Sequence, residues 1–205
     1  LFLEGDSHRP PRTVPRLILA STSIYRRELL QRLGLPFEIQ APGVDETHRA
    51  RESPGNRALR LALEKARVVA GQHPDALVIG SDQVAAGPGG LLDKPGDAAH
   101  CREQLTVLSG RTAQFHTACA LVCQARRQEQ THVDLTTCAF RALSAEEIER
   151  YVARESPLDC AGSFKAEGLG VSLLQAIDSR DPTALIGLPL IWLASALRAC
   201  GLHVP

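Results

Sequence analysis

No apolar run in this chain approaches the ~20 residues that a membrane-crossing helix needs, so the sequence holds no candidate for a helical span. Net charge is missing too: Lys+Arg and Asp+Glu both number 23. Proteins that coat nucleic acid carry a basic excess, and that class is set aside. The six cysteines, at 101, 119, 123, 138, 160 and 200, make no C-x-x-C pair, and no His stands at zinc-finger spacing from a pair. They read as small buried hydrophobes of a reducing cytosol. Internal repeats, low-complexity tracts and clear linkers are lacking, which excludes a solenoid. Trp192 is the single tryptophan, and it falls in the last apolar stretch, as a core or dimer contact rather than a platform for a base. Residues 1–16 are rich in Pro and Arg without the apolar segment of a signal peptide. Residues 1–15 are expected to form a flexible tail, and residues 16–205 one domain.

What is present is enough apolar material for a core: 44% of 205 residues are hydrophobic. Residues 17–20 read as a buried strand and 23–33 as a helix stopped by Gly34. A second strand is expected over 37–41. Ser53-Pro54 is an N-cap followed by Pro at the first helical position. The helix behind it carries Leu59, Ala62, Leu63, Ala66 and Val69 as its apolar stripe. A short strand over 77–80 is expected to end at Ser81-Asp82-Gln83, and Gly87-Pro88-Gly89-Gly90 to form a hairpin tip. Asp97 caps a helix reaching Leu108. Strands over 112–123 and 131–140 follow, joined by a turn at 125–129. Ser144 and Glu147 form a capping box; a last strand is expected over 171–177 and a last helix over 188–199. The alternation is that of an α/β fold with a mixed sheet.

The most informative segment is 17–27. An apolar run stops at Ser21-Thr22-Ser23, and Arg26 and Arg27 follow on the first turn of a helix. Hydroxyls beside the free N–H groups of a helix start form a cradle for an anion. Arginine there opposes the helix dipole, which points to a bound phosphate. Further polar clusters are Asp45-Glu46-Thr47, Glu64-Lys65, Ser81-Asp82-Gln83, Asp93-Lys94-Pro95 and the loop 162–168 with Lys165 and Glu167. Separated acids, several cations and a hydroxyl turn together suggest a metal–polyphosphate site.

The segments Leu-Ala-Ser-Thr-Ser-x-x-Arg-Arg (19–27), Val-Asp-Glu (44–46), Ala-x-Glu-Lys-Ala (62–66), Gly-Ser-Asp-Gln (80–83), Asp-Lys-Pro (93–95), Leu-Ser-Gly (108–110), Ala-Gly-Ser-Phe-Lys-x-Glu-Gly (161–168) and Ile-Gly-Leu-Pro (186–189) resemble, in order, the Maf family of nucleoside triphosphate pyrophosphatases. The resemblance is greatest to the branch that hydrolyses 7-methyl-GTP. It implies an elongated mixed β-sheet flanked by helices, with two lobes and a central cleft like that of the ITPase enzymes. It also implies cleavage between the α- and β-phosphates, a divalent cation (Mg²⁺, Mn²⁺ or Co²⁺), a cytoplasmic location, and in many members a homodimer. It puts the proton acceptor at Asp82, the metal on Glu46 and Asp82, and the triphosphate on Ser21, Ser23, Arg26, Lys65 and Lys94. The specificity positions fall on Tyr25, Gln83 and Glu167. One departure is Ile24, where the family has Pro.

These positions suit a cationic base. N7-methylguanine favours an aromatic face, which Tyr25 offers, and a carboxylate. Glu167 offers two acceptors to the N1–H and 2-amino donors of guanine. The same chemistry on dTTP or UTP, and a non-catalytic nucleotide-binding regulator of septum formation, are the rival readings.

Overall fold

The computed structural model describes residues 15–204, so the expected tail lies, apart from Pro15, outside the described residues. A seven-stranded mixed sheet forms the frame. Its strands are β1 (Leu17–Ala20), β2 (Glu38–Gln40), β3 (Leu77–Gly87), β4 (Gly90–Leu92), β5 (Thr112–Cys123), β6 (Gln128–Phe140) and β7 (Leu174–Asp178). The order is β2-β1-β3-β5-β6-β7, with β4 paired to the far end of β3. β1 runs parallel to β2 and β3; the other pairings are antiparallel. All four residues of β1 are buried, as befits a parallel strand covered on both faces. The helices are α1 (Ile24–Gln31), α2 (Pro54–Gln72), α3 (Ala98–Leu108), α4 (Ala145–Glu155) and α5 (Leu190–Ala199).

The long strands β3, β5 and β6 carry separate cores at their two ends. At one end, Leu19, Leu29, Ile79, Leu121 and Leu193 fill the face under α1 and α5, and Ile18, Ala62, Ala66, Val78 and Ala120 fill the face under α2. At the other end, Leu105, Phe115, Phe140, Ile148 and Phe164 pack with α3 and α4. The two lobes part near the middle of β3, where Ser81 and Asp82 sit.

Four expectations need correction. β3 does not end at Ser81-Asp82-Gln83; it continues to Gly87 because β5 pairs with it through Ala86↔Gln114. Ladder hydrogen bonds outweigh the interruption of apolar pattern. The buried stripe of α2 is Ala58, Leu61, Ala62, Lys65, Ala66, Val69 and Ala70; Ala62, Ala66 and Val69 belong to it as expected, but Leu59 and Leu63 are only partly buried and Ala58, Leu61, Lys65 and Ala70 take the rest of the face. The final strand starts at Leu174, since Leu169–Leu173 coil into 3₁₀ turns. Cys160 and Cys200 are only half-buried, unlike the other four cysteines, and all six are free thiols. Trp192 packs on the first lobe's core and stacks on His132, ring centroids 5.5 Å apart.

The close seat of α2 on the sheet depends on Gly80. A Cβ there would run into the Ala62 carbonyl oxygen and stand 2.7 Å from the Ala66 nitrogen. Glycine on the strand and alanines on the helix bring the two backbones together, and this approach delivers Lys65 to β3.

Candidate active site

Between the lobes lies a cleft of about 620 Å³. All ten residues expected at the site line it: Ser21, Ser23, Tyr25, Arg26, Glu46, Lys65, Asp82, Gln83, Lys94 and Glu167. Arg27, Asp45, Thr47 and Lys165 do not. The expected pair of arginine forks therefore reduces to Arg26, because successive helical residues point about 100° apart.

Lys65 is the hub. Its Nζ lies 2.6 Å from Asp82 Oδ1 and 2.7 Å from Glu46 Oε1. Lys65 and Asp82 are buried, whereas the Glu46 side chain remains 57% exposed at the mouth. Partial burial pushes the Glu46 carboxyl up, yet the Lys65 hydrogen bond and the charges of Lys65, Lys94 and Arg26 outweigh it, leaving the carboxyl below its ordinary range. Although it stands on a helix next to Glu64, Lys65 is not an exposed surface lysine.

The start of α1 is fixed by Ser23, whose hydroxyl accepts from the Arg26 N–H as N-cap. Ser21 Oγ accepts from the Ser23 N–H at 3.1 Å. Arg26 Nε donates to the Gly187 carbonyl at 3.0 Å, and Ser81 Oγ reaches the same oxygen at 2.9 Å. Gln83 Nε2 donates to Thr117 Oγ1 and to the carbonyls of Ala184 and Leu185 at 2.9–3.1 Å. β3 thus clamps the 184–187 loop along the cleft floor. Because its amide nitrogen is committed there, Gln83 can meet a ligand only through Oε1, as an acceptor.

Tyr25 heads the opposite end. Its hydroxyl donates to Asp159 Oδ2 at 3.5 Å, and burial, with the neighbouring Cys160 and Asp159, holds the phenol neutral by raising its pKa. Lys165 pairs with Glu155 at 3.1 Å and holds its ammonium 5.7 Å from the Tyr25 ring centroid, within cation–π range. Burial raises the Glu167 carboxyl above its ordinary range. This wall is set by an unusual turn: Gly162 and Ser163 both take positive φ (70° and 56°), and buried Ser163 Oγ donates to Gln104 Oε1 at 2.7 Å.

Sequence reasoning missed Arg57, Asp159 and Cys160, which also line the cleft. Arg57 had a legible signal, since 57, 61 and 65 are spaced i, i+4, i+8 along one face of α2. Asp159 and Cys160 had none, because loop curvature brings them in. Among the described residues, no three His, Cys, Asp or Glu side chains group closely enough to hold a metal alone. No described helix is long and apolar enough to cross a membrane.

Comparison with known proteins agrees with the order of motifs. The Maf-like protein family profile matches residues 16–200. A "7-methyl-GTP pyrophosphatase" of Xanthomonas axonopodis pv. citri is 58% identical over 193 residues, covering 94% of this chain and all of the relative. One from Aromatoleum aromaticum is 55% identical over 190 residues, 93% of this chain and 98% of the relative. A solved HAM1 protein from Coxiella burnetii aligns with a TM-score of 0.43 and 16% identity over 62% of this chain and 73% of its own, too distant to add to the reading. With profile, relatives and ordered motifs in accord, the chain belongs to the Maf family.

Proposed function

We infer that the protein is a nucleoside triphosphate pyrophosphatase that hydrolyses 7-methyl-GTP to 7-methyl-GMP and diphosphate. The observation that carries the chemistry is the convergence of Glu46, Lys65 and Asp82 through one ammonium in a cleft lined by Arg26 and Lys94. The base rests on the names of the relatives and on the end of the cleft where Tyr25, Asp159 and Glu167 meet.

In this reading Asp82 takes a proton from the attacking water, and Lys65 fixes the orientation of its carboxylate. Arg26 and Lys94 neutralise phosphate oxygens, while Ser21 and the capped start of α1 offer hydrogen bonds. Tyr25 and Glu167 hold the cationic base, and Gln83 Oε1 accepts from its donors. A divalent ion fits the donor set. Two carboxylates facing phosphate-binding cations suit Mg²⁺ or Mn²⁺, which keep waters and take remaining ligands from substrate phosphates. Glu46 and Asp82 would hold it, and it would supply charge neutralisation and a more acidic water. A cytoplasmic location and a homodimer belong to the same proposal.

Hydrolysis of 7-methyl-GTP, GTP, UTP and dTTP with Mg²⁺ or Mn²⁺ tests the reading. Diphosphate release should be highest for the methylated purine and vanish in Asp82→Asn while nucleotide binding persists. Equal or greater turnover of UTP or dTTP would reassign the base. Binding without turnover in the unaltered protein would favour the regulator.

A further inference from the structure

Arg57 stands out in the cleft as a cation with a buried, unpaired nitrogen. It lies in the first turns of α2, on the same line as Leu61 and Lys65, and all three line the cleft. Its side chain is only 15% exposed. Yet among the described residues Nε is buried without a hydrogen-bond partner, Nη2 donates to the Glu46 carbonyl at 3.3 Å, and Nη1 stands 3.8 Å from Asp93, itself 79% exposed. Arg60, one turn on, shows what a satisfied arginine looks like on this helix: a bidentate pair with Glu52 at 2.7 and 2.8 Å, plus Glu64 at 3.2 Å. Desolvating a guanidinium is costly unless an anion offsets it. A cation on the first turn also opposes the helix dipole, so helix stability does not account for it.

Two of the other cleft cations are already engaged. The Lys65 ammonium is shared by two carboxylates, and Arg26 Nε is held by the Gly187 carbonyl. The polar contacts of Arg57 run to the Glu46 carbonyl and to Asp93, the neighbour of Lys94. We propose that Arg57, with Lys94, forms a subsite for the β- and γ-phosphates, and hence for the diphosphate product. This rests on the pyrophosphatase reading above, but not on the identity of the base.

Calorimetric titration with inorganic pyrophosphate and Mg²⁺ tests the subsite without any base present. Arg57→Gln should weaken pyrophosphate at least ~tenfold, Arg57→Lys should recover part of the loss, and 7-methyl-GMP should bind all three proteins within about twofold. Asp93→Asn, at an exposed site, should tighten pyrophosphate by freeing Arg57 of its competing carboxylate, and it keeps the test open should Arg57 variants fold poorly. Unchanged pyrophosphate affinity in Arg57→Gln, or equal weakening of both products, would overturn the proposal, the latter by making Arg57 a mere tether for the Glu46 loop. Failure of Asp93→Asn to tighten pyrophosphate would overturn it as well. If the unaltered protein binds pyrophosphate but cleaves a different base, the function reading fails at the base and the subsite stands.

Discussion

At the scale of single residues, charge placement governs the cleft. Lys65 holds two carboxylates together, so its loss leaves like charges facing one another as well as freeing Asp82 from its partner. Lys65→Met, which keeps the stem, should lower kcat/KM by ~100- to 1,000-fold, read by steady-state diphosphate release. Glu167 gives a pH-dependent test. Its carboxyl is raised by burial, so it loses charge at a higher pH than an ordinary carboxylate. The attraction for a cationic base is full above that elevated pKa and is lost as pH falls through it. KM for 7-methyl-GTP measured from about pH 8 down to about pH 5 should therefore rise, and Glu167→Gln should flatten the profile while eroding preference over UTP and dTTP. A KM profile unmoved by the substitution would remove Glu167 from base recognition.

At the scale of elements, the site depends on how tightly α2 lies on β3. Ser53 caps the helix by accepting from the Asn56 N–H, and Pro54 presets its first turn, but neither sets the distance to the sheet. Gly80 does. Gly80→Ala would drive a methyl into the α2 backbone, which cannot yield as a side-chain tip can. Overpacking of that kind costs roughly 1–3 kcal/mol. The expected outcome is a lower denaturation midpoint with an activity loss larger than the fraction unfolded explains, because Lys65 moves away from Asp82. Chemical denaturation followed alongside activity measures both. Full activity in a merely destabilised protein would break this link between helix seating and catalysis.

For the whole molecule, a buried acidic pair behind the cleft shapes stability against pH. Asp134 on β6 lies across from Thr117, and Thr117 in turn accepts from Gln83. Its Oδ1 has no partner among the described residues, and His132 stands 3.8 Å from its Oδ2. Burial, then the charge of Asp181, raises its carboxyl above the ordinary range. Asp181 is differently placed: it accepts from the Thr183 N–H and hydroxyl and from the Ile191 N–H at the start of α5. A raised acid favours the folded state only while protonated. That contribution is present below the unfolded-state pKa and is lost as pH rises through the folded one. Asp134→Asn should therefore stabilise the fold at neutral pH, by up to about 1–3 kcal/mol, and flatten the stability profile toward acid; urea unfolding at several pH values reads this directly.

The sequence by itself determined most of the element types and the caps at Ser53, Asp97 and Ser144, which local spacing carries, and the family, which the ordered motifs carry; the ten expected residues that line the cleft were named through the resemblance to that family. It misplaced the end of β3 and one edge of the buried face of α2, where Leu59 and Leu63 are only partly covered, since strand pairing with β5 and backbone contact at Gly80 are nonlocal and leave no trace in hydrophobic period. Only the tertiary structure decided that Lys65 is buried between Glu46 and Asp82, that the Gln83 amide nitrogen is committed to the 184–187 loop, and that Asp159 and Cys160 flank Tyr25. Each of those outcomes depends on distances between segments far apart in the chain, which are set by packing and not by the residues' own preferences.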